Sequence, residues 1–195
     1  TIAAHSGIPA QNLMVGDHDG NIGWTIMGAI PRKSSNFGDT PKSWAKGQYF
    51  WDGYLSEHEY PKIINPKDHR LWTANSRVVG GDLLEKIGNG GYALGARAQQ
   101  IRDDLFAKQM FDENSLLAIA LDDRALFLKP WQQFLLNQVL TKAEVSDKPL
   151  WQRARAILST NNLTANVDSV TYRLVRNFRL NLRDQVFALF NQHLE

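Results

Sequence analysis

The sequence predicts an α+β chain, with antiparallel strands in the first third and mainly helices afterwards. Two observations carry this. Up to about residue 90, short apolar runs alternate with glycine, proline and Asx turns, the texture of strands and loops. After Gly90 the apolar period changes to three and four, most clearly along Val167, Val170, Leu174, Phe178, Leu182, Val186 and Leu189.

Leu13, Met14 and Val15 precede Asp17-His18-Asp19-Gly20-Asn21, and Ile22 to Met27 follow, which reads as strand, tight turn, strand. Asp19-Gly20 is a hairpin signal because glycine tolerates the positive φ that a primed turn demands. From Pro31 to Asn65 the chain is expected to be long and irregular, punctuated by Pro31, Gly38, Pro41, Gly47, Gly53 and Pro61. It carries Trp44, Tyr49, Phe50, Trp51, Tyr54 and Tyr60, rings with apolar area to bury, so it is expected to wrap a surface or line a groove.

Leu94, Ala98, Ile101 and Leu105 predict a first helix reaching about Met110. Asp112 or Asn114 caps a second, running to about Leu140 with a bend at Pro130. Asp147 caps a third from Pro149 to Leu158, where the proline occupies a first turn that needs no N–H donor. The last is the arginine-flanked helix already noted. We read residues 1–195 as one piece of a single domain, with strands and the aromatic loop in 1–90 and helices in 91–195.

Composition narrows the function. A chain of 195 residues with 43% hydrophobic content can bury an ordinary core. A net charge of +2 announces no nucleic-acid partner, and the six arginines from Arg153 to Arg183 are spaced as a solvated helix surface rather than a phosphate stripe. With no cysteine, disulfide scaffolds, thiolate nucleophiles and cysteine-ligated metals are excluded. No apolar run reaches the roughly 18 residues of a membrane span. Thr1 to His5 shows neither an initiator Met nor a signal pattern, so the chain is expected to be part of something longer.

Most polar clusters read as structure. Asp17 and Asp19 beside Gly20 and Asn21 resemble the start of a calcium loop, but the distal Glu is lacking and turn formation is the expected role. Asp103-Asp104 and Asp122-Asp123 are neighbours on helices, which point apart. The histidines at 5, 18, 58, 69 and 193 show no metal-ligand spacing. The run Leu71-Trp72-Thr73-Ala74-Asn75-Ser76-Arg77-Val78-Val79-Gly80-Gly81 differs: it reads as a short strand that ends on polar side chains and then glycines. Asn75 there either satisfies loop amides or acts in a site.

The ordered series Gln11-Asn12, Asp17-x-Asp19-Gly20-Asn21-Ile22-Gly23, Gly28-x-Ile30-Pro31-Arg32, Trp51-Asp52-Gly53, Tyr60-Pro61, Asn65-Pro66, Thr73-Ala74-Asn75-Ser76-Arg77 and Gly95-Ala96-Arg97-Ala98-x-x-Ile101 resembles the middle of the large subunit of the penicillin acylase family. That family includes cephalosporin acylases and acylases of acyl-homoserine lactones. Leu121-Asp122, Trp151 and the final helix extend the resemblance. It implies an N-terminal-nucleophile amidohydrolase with an αββα sandwich, made as a self-cleaving precursor, periplasmic or secreted, whose partners are the remaining large-subunit segment and the small subunit. The nucleophile would be an N-terminal serine outside this chain, its own α-amine acting as base, so this piece alone is expected to be inactive. By the same resemblance Asn75 matches the oxyanion-hole asparagine and Arg97 the arginine that organises the site. An arginine opening a helix meets the positive end of the dipole, which favours a specific partner for Arg97, and its fixed fork of donors suits it to hold Asn75 or a substrate-side polar group.

Two positions depart from the family pattern. Thr1 lacks the serine-led, tryptophan-containing surroundings of a large-subunit start, and Ala120 stands where many relatives place glutamine. The resemblance implies no catalytic cofactor and allows structural calcium in the complete enzyme, with no ligand assignable in this chain. It leaves the acyl group open, with an N-acyl amide small molecule as the substrate class. A noncatalytic protein- or nucleic-acid-interaction module, built on the aromatic loop and the late arginines, is the alternative.

Overall fold

A computed structural model describes residues 2–34, 40–160 and 163–192. Thr1, Gly38 and His193 lie outside the described residues. The chain divides into two compact units, Thr1–Gln109 and Met110–Glu195. The α+β class holds, and the change from strand to helix near residue 90 falls inside the first unit.

In the first unit β1 (Gln11–Gly16) and β2 (Ile22–Met27) form the expected hairpin, antiparallel with Gln11 opposite Met27 and Gly16 opposite Ile22. The connection is a five-residue loop rather than a two-residue primed turn, closed by Asp17 N donating to Asn21 O at 3.0 Å. The Asp17 carboxylate accepts from the backbone N–H of Asp19 and Asn21 and from the Asn21 amide, which lowers its pKa. Gly20 does adopt the positive φ, +84°.

The stretch from Pro31 to Asn65 is less irregular than the sequence suggests. β3 (Pro31–Lys33) pairs with β4 (Trp51–Tyr54), and β5 (Lys62–Ile64) pairs antiparallel with β2. Glycines and prolines hid these strands because each is only three or four residues long, with Pro31 at a strand start and Gly53 at φ +76°. Asn65, at φ +45°, follows β5; its Oδ1 accepts from Ile22 N and its Nδ2 donates to Asn21, fastening β5 to the hairpin loop.

Under the sheets lie Ile30, Leu55 and Tyr60, with Ala4, Ile26 and Ile87 packed against them. Tyr60 buries its ring and donates its hydroxyl to Gly28 O at 2.7 Å, so its polar end is satisfied. The other aromatics do not bury as expected. Trp44, Phe50, Trp51 and Tyr54 are exposed, Trp44 and Trp51 meeting edge to face at 5.6 Å. The half-buried Tyr49 carries the Lys42 ammonium over its ring.

Helix α1 (Gly81–Ile87), which the sequence pattern did not suggest, and α2 (Ala96–Phe106) complete this unit. The segment around Asn75 between β5 and α1 is bent coil, not a strand, because among the described residues no strand pairs with it.

The second unit is helical. Asp112 caps α3 (Glu113–Ala120) through a reciprocal capping box with Ser115. The continuous helix expected to Leu140 is broken: α3 stops at Ala120, and Ala125 N and Ala165 N bond to Leu163 O and Asp123 O instead. A short 3-10 turn, Leu126–Leu128, leads into α4 (Lys129–Phe134), and a π-helical turn, Leu135–Val139, follows. Pro130 therefore opens a helix rather than bending one.

After the short α5 (Lys142–Val145), α6 spans Pro149–Leu158 as expected, with Lys148 rather than Asp147 at its cap. α7 (Val170–Asn191) is capped by Ser169, which accepts from Tyr172 N. Leu128, Leu135, Leu140, Val145, Leu158 and Val175 form the core. Val175 is fully buried although it lies off the stripe read from sequence, and Val167, Val186 and Leu189 of that stripe are exposed.

Candidate functional site

The segment from His69 to Arg77 runs beside α2 as a strap, and three contacts set its register. At one end Arg70 donates Nε to Leu105 O at 2.7 Å, in the last turn of α2, and Nη2 to Lys108 O and Gln109 O just beyond the helix. Such carbonyls have no partner within a helix, and a guanidinium both bonds them and complements the negative end of the dipole. In the middle Trp72 meets Phe106 edge to face at 5.9 Å. At the other end Arg97, in the first turn of α2, donates Nη2 to Asn75 Oδ1 at 2.7 Å. The backbone of Asn75 is held as well, its carbonyl accepting from Ala93 N at 2.8 Å.

Arg97 fixes more than position. A guanidinium offers only donors, so the amide oxygen of Asn75 must face it and the Nδ2 hydrogens must point away. A cation on Oδ1 also draws charge from the amide, strengthening Nδ2–H as a donor. Both side chains are exposed, and Nδ2 donates to no other described residue. The Arg97 charge near the positive end of α2 thus has a defined partner. Such a unit can offer an oriented N–H to an anion or an oxyanion.

A second asparagine braces the strap from the sheet. Trp24, buried on β2, donates Nε1 to Asn12 Oδ1 at 2.9 Å, and Asn12 Nδ2 donates to Ala74 O at 3.4 Å, one residue from Asn75. Strap and helix also bound a cleft of about 330 Å³, lined by Trp72, Ser76, Arg77, Gly95, Gln99 and Arg102 among others, which neither Asn75 nor Arg97 lines. Burial pushes the Tyr92 phenol up, and the nearby Arg77 charge opposes the shift.

The structure therefore brings Asn75 and Arg97 into contact across 22 residues of sequence. Sequence reasoning missed the roles of Arg70, Asn12 and Trp24. Gln11-Asn12 was a legible motif without a partner; nothing in the spacing marked Arg70. Thr1 lies outside the described residues. Ala120 ends α3, and nothing in the structure explains its departure from glutamine.

The other candidates have structural partners. Asp122 pairs with Arg124, Asp103 with Arg102, and Asp17 with its own turn. Of the late arginines, Arg155 donates to the Leu136 and Leu140 carbonyls, Arg173 to Val167 O and Arg183 to Asp184, while Arg179 lies over the Phe127 and Trp131 rings.

Comparison with known proteins agrees with the ordered motifs. Over 116 residues the chain is 28% identical to a penicillin acylase 2 proenzyme of Pseudomonas sp. (strain SE83), covering 60% of this chain and 15% of that protein. Over 166 residues it is 24% identical to the acyl-homoserine lactone acylase QuiP of Pseudomonas syringae pv. syringae (strain B728a), covering 79% of this chain and 20% of that protein. A 59-residue match to QuiP of Pseudomonas syringae pv. tomato (strain ATCC BAA-871 / DC3000) is 32% identical, covering 30% of this chain and 7% of that protein. The chain thus spans a fifth or less of the length of these curated relatives. The profile of the family described as Penicillin amidase matches residues 1–193. With that match running through the strap, α2 and the helical unit alike, the chain belongs to the penicillin amidase family.

Proposed function

We propose that this chain is an internal part of the large subunit of an acylase that cleaves N-acyl amides, and that Asn75 supplies an oxyanion donor to its active site. The observation that carries the reading is the Arg97 contact, which turns the Asn75 amide so that Nδ2–H faces outward. The nucleophile in this reading is an N-terminal serine on a segment other than this chain. Its α-amine, with an ordinary pKa near 8, takes the hydroxyl proton as Oγ attacks the acyl carbonyl.

Negative charge then develops on the carbonyl oxygen, where Asn75 Nδ2–H donates to it. The C–N bond breaks and the amine leaves with the proton. Water then gives a proton to the α-amine and attacks the acyl-enzyme through the same oxyanion, and the Oγ–acyl bond breaks, releasing the acid and returning the proton to the serine. A donor of this kind is worth about 3 kcal/mol of barrier. Arg97 holds the amide in register and keeps its oxygen out of the oxyanion's place.

Penicillin-type and acyl-homoserine lactone substrates are the two classes that the relatives' names support. In this reading the complete enzyme is a processed precursor with a small subunit, exported to the periplasm or secreted. Among the described residues no helix is long and apolar enough to cross a membrane. No catalytic cofactor enters the reaction as proposed. Structural calcium is allowed in the complete enzyme, with no ligand assigned in this chain; among the described residues no group of three or more acidic or histidine side chains is placed to hold a metal ion.

The test is Asn75→Ala in the complete processed enzyme, assayed on a chromogenic acyl amide. We expect kcat to fall about 10²- to 10³-fold with KM changed little. A kcat equal to that of the wild type would sink the role.

A further inference from the structure

Asn75 is exposed and lies in coil, so neither burial nor a backbone ladder fixes it. What fixes the strap is a clamp at each end and a brace from the sheet. Five steps of chain from Arg70 to Asn75 span at most about 17 Å. The eight helical steps from Arg97 to Leu105 span about 12 Å. The two spans are comparable, so the strap runs along α2 between its pins, and Trp72 meets Phe106 edge to face between them.

Arg70 is the stronger pin. Its guanidinium holds carbonyls of Leu105, Lys108 and Gln109 beyond its own strand of chain, and its face lies 5.4 Å from the Phe106 ring. Lysine cannot reproduce this fork, because its donors radiate from one point. Asn12 is the brace. Its amide is oriented as that of Asn75 is, by a partner that can only donate: Trp24 takes the oxygen, so the NH₂ group must face Ala74 O. Trp24 is 2% exposed, so the brace stands on the core of the sheet.

We infer that Arg70 and Asn12 are positioning residues for the oxyanion donor: they touch no reacting atom, and they set where Asn75 Nδ2 sits by holding the strap against α2 and β1. The inference rests on the reading of Asn75 given above. An oxyanion donor acts over a few tenths of an ångström, and a displacement near 1 Å can cost on the order of 10²-fold in rate. Loosening either pin thus lowers kcat without touching the acyl-binding surface.

The experiment uses the complete processed acylase with Arg70→Met, Arg70→Lys and Asn12→Asp, each alone and combined with Asn75→Ala, on a chromogenic acyl amide. Asn12→Asp keeps the acceptor for Trp24 but sets a carboxylate oxygen against Ala74 O. Folding is verified by thermal melts, and assays run well below the lowest transition. Arg70→Met and Asn12→Asp should each lower kcat about tenfold or more with KM within about twofold, and Arg70→Lys should recover part of the loss.

In the Asn75→Ala background the same changes should alter kcat by less than about twofold, because the group they position is gone. A purely structural role predicts equal losses in both backgrounds. Equal losses, or wild-type kcat in both single variants, overturn the inference. If Arg70→Met does not fold, Asn12→Asp, at an exposed side chain, decides alone. A wild-type kcat for Asn75→Ala itself overturns the oxyanion reading and the inference with it, whereas a crippled Asn75→Ala with additive effects overturns the inference only.

Discussion

In the helical unit α6 and α7 close over Leu158 and Val175, which are almost wholly removed from water, and the arginines serve carbonyls and rings around that core. In the strand-bearing unit the exposed Asn75 is held by direction instead: Arg70, Arg97 and Asn12, the last oriented by Trp24, fix the chain around it by hydrogen bonds. Burial is tolerant of direction: an apolar side chain can shift and stay buried. Hydrogen bonds are directional, so they can fix which atom of an amide points outward. A region that must present one N–H is better held by bonds, and a region that must only persist is better held by area.

This contrast fails first where its effects are largest. Leu158→Ala should remove about 3 kcal/mol from the helical unit, read as a lowered midpoint in denaturant; a change under about 1 kcal/mol would mean that the cluster around Leu158 is not what holds it. Gly28→Ala tests the other unit. Gly28 has φ +108°, and a Cβ there would sit 2.5 Å from Ile8 O, so backbone must move. We expect a loss of about 2 kcal/mol, measured as loss of the strand signal at lower denaturant.

Asp112→Ala removes the side-chain half of the capping box on α3, the bond accepted from Ser115 N, and should cost about 1 kcal/mol, visible as earlier exchange of amide hydrogens at residues 113–116. Such a loss would show that bonds matter at the ends of helices even where area holds their middles.

The smallest effect is a pH dependence. Hydrogen bonds from Asn21 hold the Asp17 carboxyl below its ordinary pKa. The folded state therefore favours the charged form. Its contribution is fully present above the ordinary value and is lost as pH falls through the depressed folded value. Acid titration should loosen the β1–β2 loop in this window, and Asp17→Asn should flatten that part of the curve. A variant with the same acid profile would contradict the assignment.

Much of this was legible in the sequence, and the misses have physical causes. The hairpin, α6 and the long final helix follow from local pattern, since their residues choose their state within a few neighbours. β3 and β5 escaped because strands of three residues carry too few positions to show alternation, and their partners lie far along the chain. The break after Ala120 escaped because Leu121 to Leu128 continues the apolar rhythm while its amides bond to a segment about 40 residues away. At the site, the family motifs singled out Asn75 and Arg97. The fork of Arg97 suits it to hold Asn75 or a substrate-side polar group, and it reaches Asn75; that Arg70 and Asn12 would hold the strap was not legible, because those contacts depend on the fold bringing together residues 35 and 62 positions apart.

In the proposed reaction Asn75 Nδ2–H meets charge that exists only in the tetrahedral state. The direct measurement is the affinity of the complete enzyme, wild type and Asn75→Ala, for a boronic acid bearing the acyl side chain, which forms a tetrahedral adduct with the serine, set beside a non-cleavable ground-state amide analogue. The account predicts that Asn75→Ala weakens the boronate by about 10²-fold or more and the amide analogue by less than about twofold. An equal loss for both, or no loss for the boronate, would contradict it.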